Sequence, residues 1–100
     1  LIVDNNKISM LGHTDNILSH RSLKKKFIEF GWFVEEVDGH DIEAVHSKLS
    51  KLKNLAEGKP KVLIANTIKG KGVPGLEDAE LSHIMTVKPD IIDSLTRGKK

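Results

Sequence analysis

Two short stretches carry residue types that could do chemistry. The first is Asp4-Asn5-Asn6-Lys7-Ile8, which follows the apolar run Leu1–Val3. Asparagine tolerates turn geometry and bonds to its own backbone, so the pair can serve as a turn alone. It can also serve a hard cation. An asparagine amide oxygen and a main-chain carbonyl are donors that Mg²⁺ accepts, normally together with a carboxylate and phosphate oxygens. The second stretch is Lys69-Gly70-Lys71-Gly72-Val73-Pro74-Gly75, a literal G-x-G-x-x-G. A dinucleotide site would need a helix opening at the third glycine, a further strand, and an acid about 20 residues on. Asp93 stands at that distance, but no strand pattern follows Gly75, and Pro74 obstructs a phosphate-binding turn. A P-loop would need a closing Gly-Lys-Ser/Thr, which this stretch does not have. The glycines therefore predict a flexible loop with tight turns, placed to close over a ligand.

The remaining polar candidates are weaker. The 5 histidines show no tight metal spacing, and with no cysteine there can be neither a thiolate metal site nor a disulfide. His40 and Asp41, in Val-Asp-Gly-His-Asp, read as a turn residue and a helix N-cap.

These residues have to be positioned by regular elements. Leu1–Asp4 reads as a short strand. Ser19 can cap a helix that places Leu23, Phe27 and Phe30 on one face, with Gly31 as its C′ residue. Trp32–Val37 reads as a second strand. After the turn, Ile42, Val45, Leu49 and Leu52 form an apolar stripe opposite lysines, and Gly58 and Pro60 close that helix. Lys61–Ile68 is the clearest strand, nearly continuously apolar over Val62–Ala65, as a parallel strand covered on both faces should be. Pro89 opens a last helical segment, Asp90–Leu95. Strands alternating with helices predict an α/β fold: a parallel sheet of βαβ units, here with three strands and two crossover helices. Ligands of such sheets sit outside the carboxyl ends of the strands. The Asn-Asn stretch, the glycine loop and the turn at His40 all follow strand ends, so all three belong to that rim.

Composition narrows the function. Apolar residues make up 38% and charged residues 30% of 100 residues, which allows one small globular domain or part of a larger one. With 16 Lys+Arg against 14 Asp+Glu, the balance is too even to demand a nucleic acid. The lysine clusters read as solvated helix faces and a basic tail. Phe27, Phe30, Trp32 and Phe33 read as core rather than as base-stacking platforms. No apolar run approaches the ~20 residues of a membrane span. The absence of cysteine fits a cytoplasmic protein.

Three stretches together carry a family resemblance: "LIVDNNKI", "KFIEFGWFVEEVDGHD" and "KVLIANTIKGKGVPGLEDAELSH". In this order and at these spacings they resemble the thiamine-diphosphate-binding domain of transketolase, and above all the separate N-terminal subunit of split transketolases. The likeness runs from Leu1 to about His83. Phe30-Gly31-Trp32, Val37–Asp41 and Thr67–Gly72 are its most specific parts.

The resemblance carries definite expectations. The family's cofactor motif opens with Gly-Asp-Gly and ends in Asn-Asn, so Asn5-Asn6 resembles its end, and the Gly-Asp-Gly half is expected before Leu1. The chain then corresponds to the C-terminal part of the cofactor domain over residues 1–88, with a helical tail over 89–100. Thiamine diphosphate is held in this family through Mg²⁺, and two of the metal's ligands map to the Asn6 side chain and the Ile8 carbonyl. His83 resembles the family histidine near the diphosphate and the sugar, in a cofactor-binding and catalytic role. It is flanked here by Ser82 and Ile84, where the family tends to have an aromatic residue and a glycine. The implied reaction cleaves a ketose beside its carbonyl and passes a two-carbon unit to an aldose, with the cofactor as electron sink. The implied partners are phosphorylated sugars and a pyrimidine-binding domain or C-terminal subunit, in an oligomer. That partner supplies the activating glutamate, so the chain by itself is expected to be inactive. Two other readings stand beside this one: a non-catalytic remnant or interaction module, and another thiamine-diphosphate enzyme such as a deoxyxylulose phosphate synthase. A Gly-Asp-Gly upstream separates enzyme from remnant, and the Phe-Gly-Trp and Thr-Ile-Lys-Gly-Lys-Gly stretches favour transketolase.

Overall fold

The computed structural model describes residues 1–55, 58–79, 86 and 88–96. In chain order the elements are β1 (Ile2–Asn5), β2 (Ile8–Ser9), β3 (Gly12–His13), α1 (Thr14–Leu18), α2 (Leu23–Glu29), β4 (Phe33–Asp38), α3 (Ile42–Asn54), β5 (Lys61–Asn66) and α4 (Pro89–Thr96). They fall into two compact units. One comprises Leu1–Asn5 and His20–Thr67, the other Asn6–Ser19 and Ile68–Lys100.

The first unit is the predicted α/β arrangement. Its sheet has the order β1-β5-β4, and both pairings are parallel. The last strand in sequence is thus the middle strand in space. Val62, Leu63 and Ile64 of β5 are all fully buried, so both faces of that strand are covered. On one face, Val37, Leu63 and Ala65 pack against Leu52 of α3, with Phe33, Ala44, Val45 and Leu55 around them. On the other, Val62 and Ile64 lie where α2 packs on β4 and β5.

The helix termini follow from local chemistry. Asp41 caps α3, its carboxylate accepting the Ala44 N–H at 2.9 Å. At the other end the Lys61 amine donates to the Leu55 carbonyl at 2.5 Å, where a cation suits the helix dipole. Helix α2 ends in a Schellman motif. Gly31, at φ +82°, donates to the Ile28 carbonyl, and Trp32 donates to that of Phe27. The rings of Phe27 and Trp32 meet edge to face at 5.2 Å and supply the apolar contact that accompanies this motif.

Several expectations need correction. Ser22, not Ser19, caps α2, accepting from the Lys25 N–H at 3.2 Å. Arg21 adopts φ +52°, which breaks the chain just before the cap, and Ser19 instead bonds Asp15 at the end of α1. Phe30 is 81% exposed rather than core, because the helix stops at Glu29 and Phe30 sits in the cap conformation. On α3 the inward stripe is Ala44, Val45, Lys48 and Leu52, while Ile42 and Leu49 are exposed. The helix ends at Asn54, before Gly58 and Pro60. The third strand stops at Asn66, two residues short of Ile68. The β2–β3 hairpin and α1 have no counterpart in the sequence reading. The last helix opens at Pro89 as expected. Among the described residues no helix is long and apolar enough to cross a membrane.

Lys48 faces the sheet because Glu35 of β4 receives it. Its Nζ lies 2.7 Å from the Glu35 carboxylate, and Lys51 binds the second oxygen. These hydrogen bonds, that of Lys48 foremost and that of Lys51 next, hold the Glu35 carboxyl below the usual glutamate pKa. A group with a lowered folded-state pKa stabilises the fold above its unfolded-state value and loses that contribution as the pH falls through the folded one. Both lysines are partly exposed, so solvent screening keeps the pair modest. Glu35→Gln is expected to cost ~1 kcal/mol at neutral pH, and the difference from wild type should vanish on acidification below the usual glutamate range. Urea denaturation across pH measures this; a difference that persists unchanged in acid would show that the ion pair is not its source.

Candidate functional site

The parallel sheet brings Asn5, Asn66 and Asp38 to one layer at the carboxyl ends of its strands, Asn66 lying opposite both of the others. This is the rim where ligands of such sheets bind. The two consecutive asparagines do different work. Asn5 is the last residue of β1, and its Nδ2 donates to the Asn66 Oδ1 at 2.8 Å. Asn66 Nδ2 donates in turn to Glu36 Oε1 at 3.1 Å. The Thr67 hydroxyl donates to the Asp4 carboxylate. At the third strand end, Asp38 accepts from the His40 N–H at 2.9 Å, so His40 is a turn residue as read from the sequence.

Asn6 opens the second unit, and its side chain turns back on the chain: Oδ1 accepts from the Ile8 N–H at 3.0 Å. Lys7, between them, has φ +62°, an uncommon conformation for a residue with a side chain. The turn runs directly into the β2–β3 hairpin, where Ile8 lies opposite His13 and Ser9 opposite Gly12. Thr14 N–H donates to the Lys7 carbonyl at 2.9 Å, which makes Ile8–His13 the non-hydrogen-bonded pair of the hairpin. The Ile8 N–H and carbonyl therefore point away from β3, and in an extended residue both point the same way. The Ile8 carbonyl thus lies on the same edge as the Asn6 amide oxygen. The oxygen of an amide has two lone pairs, so it can accept an N–H and coordinate a cation at once. The donor set fits a hard cation: two neutral oxygens on one edge, close in sequence and fixed by a strained turn.

The glycine loop is knit to itself. Val73 N–H donates to the Gly70 carbonyl at 3.0 Å, Asp78 N–H to that of Lys69 at 2.9 Å, and Gly72 N–H to the Glu77 carboxylate at 2.8 Å. Gly70 adopts φ +76°, and a Cβ there would meet the Leu76 carbonyl oxygen at 2.4 Å, so glycine is required. No helix opens at Gly75 over residues 75–79. His83 lies outside the described residues.

Comparison with known proteins bears on this geometry. The family model of the transketolase thiamine diphosphate binding domain matches residues 1–98. The chain belongs to that family. It is 36% identical over 88 residues to the 6-deoxy-6-sulfo-D-fructose transketolase subunit of a Clostridium species, spanning 88% of this chain and 32% of that protein. It is 38% identical over 93 residues to an apulose-4-phosphate transketolase subunit of Actinobacillus succinogenes, spanning 93% and 33%. The crystal structure of the Campylobacter jejuni transketolase superposes with a TM-score of 0.73 at 33% identity, covering 82% of this chain and 12% of that one. The chain thus spans about a third of the length of these subunit relatives.

Within this transketolase domain, the sequence reading selected Asn6 and Ile8, which the turn brings together. It passed over Asn66, Thr67 and Glu36. A signal was available: the polar pair Asn66-Thr67 directly follows the buried run Val62–Ala65, where a parallel strand reaches its ligand-facing end. Gly39 shows how tightly that end is packed. Its N–H donates to the Asn66 carbonyl at 2.8 Å, and an added Cβ would meet the Thr67 Cγ2 at 2.4 Å and the Asn66 carbonyl oxygen at 3.2 Å. Gly39→Ala should therefore push Thr67 off Asp4 and destabilise the domain by ~1–3 kcal/mol. Adding Thr67→Ser, which removes the offending methyl and keeps the hydroxyl, should recover most of that loss in thermal denaturation. Equal stability of the single and double variants would place the cost elsewhere.

Proposed function

We propose that this chain forms part of a cytoplasmic transketolase-type transferase and holds the diphosphate end of Mg²⁺–thiamine diphosphate at the Asn6–Ile8 turn. The observation that carries the reading is the shared edge of the Asn6 amide oxygen and the Ile8 carbonyl, in a domain of the thiamine diphosphate binding family. When bound, the cofactor supplies the nucleophilic carbon and the electron sink for moving a two-carbon ketol unit from a ketose to an aldose.

The chain's own residues bind and orient. Asn6 offers Mg²⁺ a neutral oxygen, which adds no negative charge beside a diphosphate. The Ile8 carbonyl offers another, and the turn fixes their spacing, which matters for an ion that demands near-ideal octahedral geometry. His83 is assigned to the diphosphate and sugar side, where a ring with one donor and one acceptor nitrogen can serve both. The relatives named as transketolase subunits support a partner subunit for this chain. We assign to that partner the pyrimidine-binding half of the site and its activating glutamate, within an oligomer that acts on phosphorylated sugars.

Titration of the assembled enzyme with thiamine diphosphate at fixed Mg²⁺ tests the assignment. Asn6→Ala removes one oxygen, and Asn6→Asp keeps an oxygen but adds repulsion against the phosphates. Both are expected to weaken cofactor affinity ~10–100-fold, the scale of perturbed metal shells. Ile8→Val, which leaves the carbonyl in place, should change little. Wild-type affinity in Asn6→Ala would reduce the asparagine to a turn residue and remove the metal assignment.

A further inference from the structure

Asn6 is joined by one peptide bond to the end of β1, and what holds that end is unusual. Among the described residues, β1 has four residues and pairs with β5 alone. Its last main-chain bond, from the Thr67 N–H to the Asn5 carbonyl, is long at 3.4 Å. The side-chain bond at the same position is short, 2.8 Å from Asn5 Nδ2 to Asn66 Oδ1. Side chains therefore secure a strand end that the backbone holds weakly.

The polarity of this link is set from its far end. A carboxylate only accepts hydrogen bonds, so Glu36 obliges Asn66 to turn Nδ2 toward it, at 3.1 Å. Asn66 must then face Asn5 with Oδ1, and Asn5 must answer with Nδ2. A carboxylate on β4 thus dictates the orientation of two successive amides across the middle strand. Asn66 has one amide group, with its oxygen and nitrogen committed to opposite neighbours, and its main-chain carbonyl accepts from Gly39. The ladder Glu36–Asn66–Asn5 spans all three strands of the sheet.

We propose that Glu36 and Asn66 are positioning residues: through Asn5 they fix the end of β1 and thereby the Asn6–Lys7–Ile8 turn. Neither is assigned a contact with the cofactor or the metal. The proposal rests on the reading of Asn6 given above only for its effect on cofactor affinity; the effect on the turn stands apart from it.

Two measurements on the assembled enzyme test this. The first is amide hydrogen exchange at Ile8, whose N–H reports the bond to Asn6. Asn66→Ala and Glu36→Ala should speed this exchange. Glu36→Gln should restore protection, because a glutamine oxygen can still accept from Asn66. Unchanged Ile8 protection in Asn66→Ala overturns the proposal, whatever binds at the turn. The second is thiamine diphosphate titration at fixed Mg²⁺. Asn66→Ala should weaken affinity ~10-fold, as loss of an outer partner of a metal ligand does, and should have no further effect once Asn6 is alanine. An equal loss with and without Asn6 would mean that Asn66 acts by general stability, and the proposal fails. Should Asn6→Ala itself bind the cofactor as wild type does, the metal assignment fails, and the Ile8 exchange alone decides the ladder.

Discussion

Val62, Leu63 and Ile64 are consecutive, so their side chains alternate between the two faces of β5, and all three are buried. Covering both faces of one strand demands layers above and below and a neighbour on each side. Each such side chain contributes on the order of 1.5–3 kcal/mol, enough to commit a small unit to one arrangement. The order β1-β5-β4 and the placing of α3 on one face and α2 on the other follow from that burial. Beside that core, the partly exposed Lys48 pairs with Glu35 of β4.

The same geometry explains why the polar residues gather where they do. Parallel strands in register end together, so the residues that close β1 and β5 meet: Asn5 beside Asn66. Their amides can satisfy each other only in one orientation once Glu36 is present. The cost of an unpaired half-buried amide makes this a self-consistent set rather than three independent contacts. Directly beyond it, the chain adopts a strained conformation at Lys7 and closes the Asn6 side chain onto Ile8. Backbone strain held by surrounding bonds is a common mark of ligand sites. Here it places two oxygen donors on one edge.

Membership of the transketolase thiamine diphosphate binding family gives that edge its chemical context. The chain spans about a third of the length of its subunit relatives. The chain itself carries a rim, a turn with neutral oxygens, and a glycine loop with amides tied within the loop itself.

Much of this was legible in the residues. The continuous apolar run of β5, the Asp41 cap and the Gly31 stop each have a local cause, because burial on both faces, an N-cap carboxylate and a left-handed glycine leave marks within a few positions. The pairing of Asn6 with Ile8 as donors came from family likeness rather than from spacing. The helix faces were less secure: a single stripe on α3 could be drawn through Ile42 and Leu49, and only packing against Glu35 turned Lys48 inward instead. The spacing from Leu23 and Phe27 points Phe30 to the core, but as the cap residue of α2 it leaves the helical face and is exposed. Strand order, the Asn5–Asn66–Glu36 ladder and the clash guarding Gly39 join residues 30 to 61 positions apart or more closely packed than any local rule implies. The elements and the chemical types at their ends were written into the order of residues, since those depend on neighbours along the chain. Which ends meet, and which amide must face which way, was decided only when the buried strand drew its two neighbours alongside.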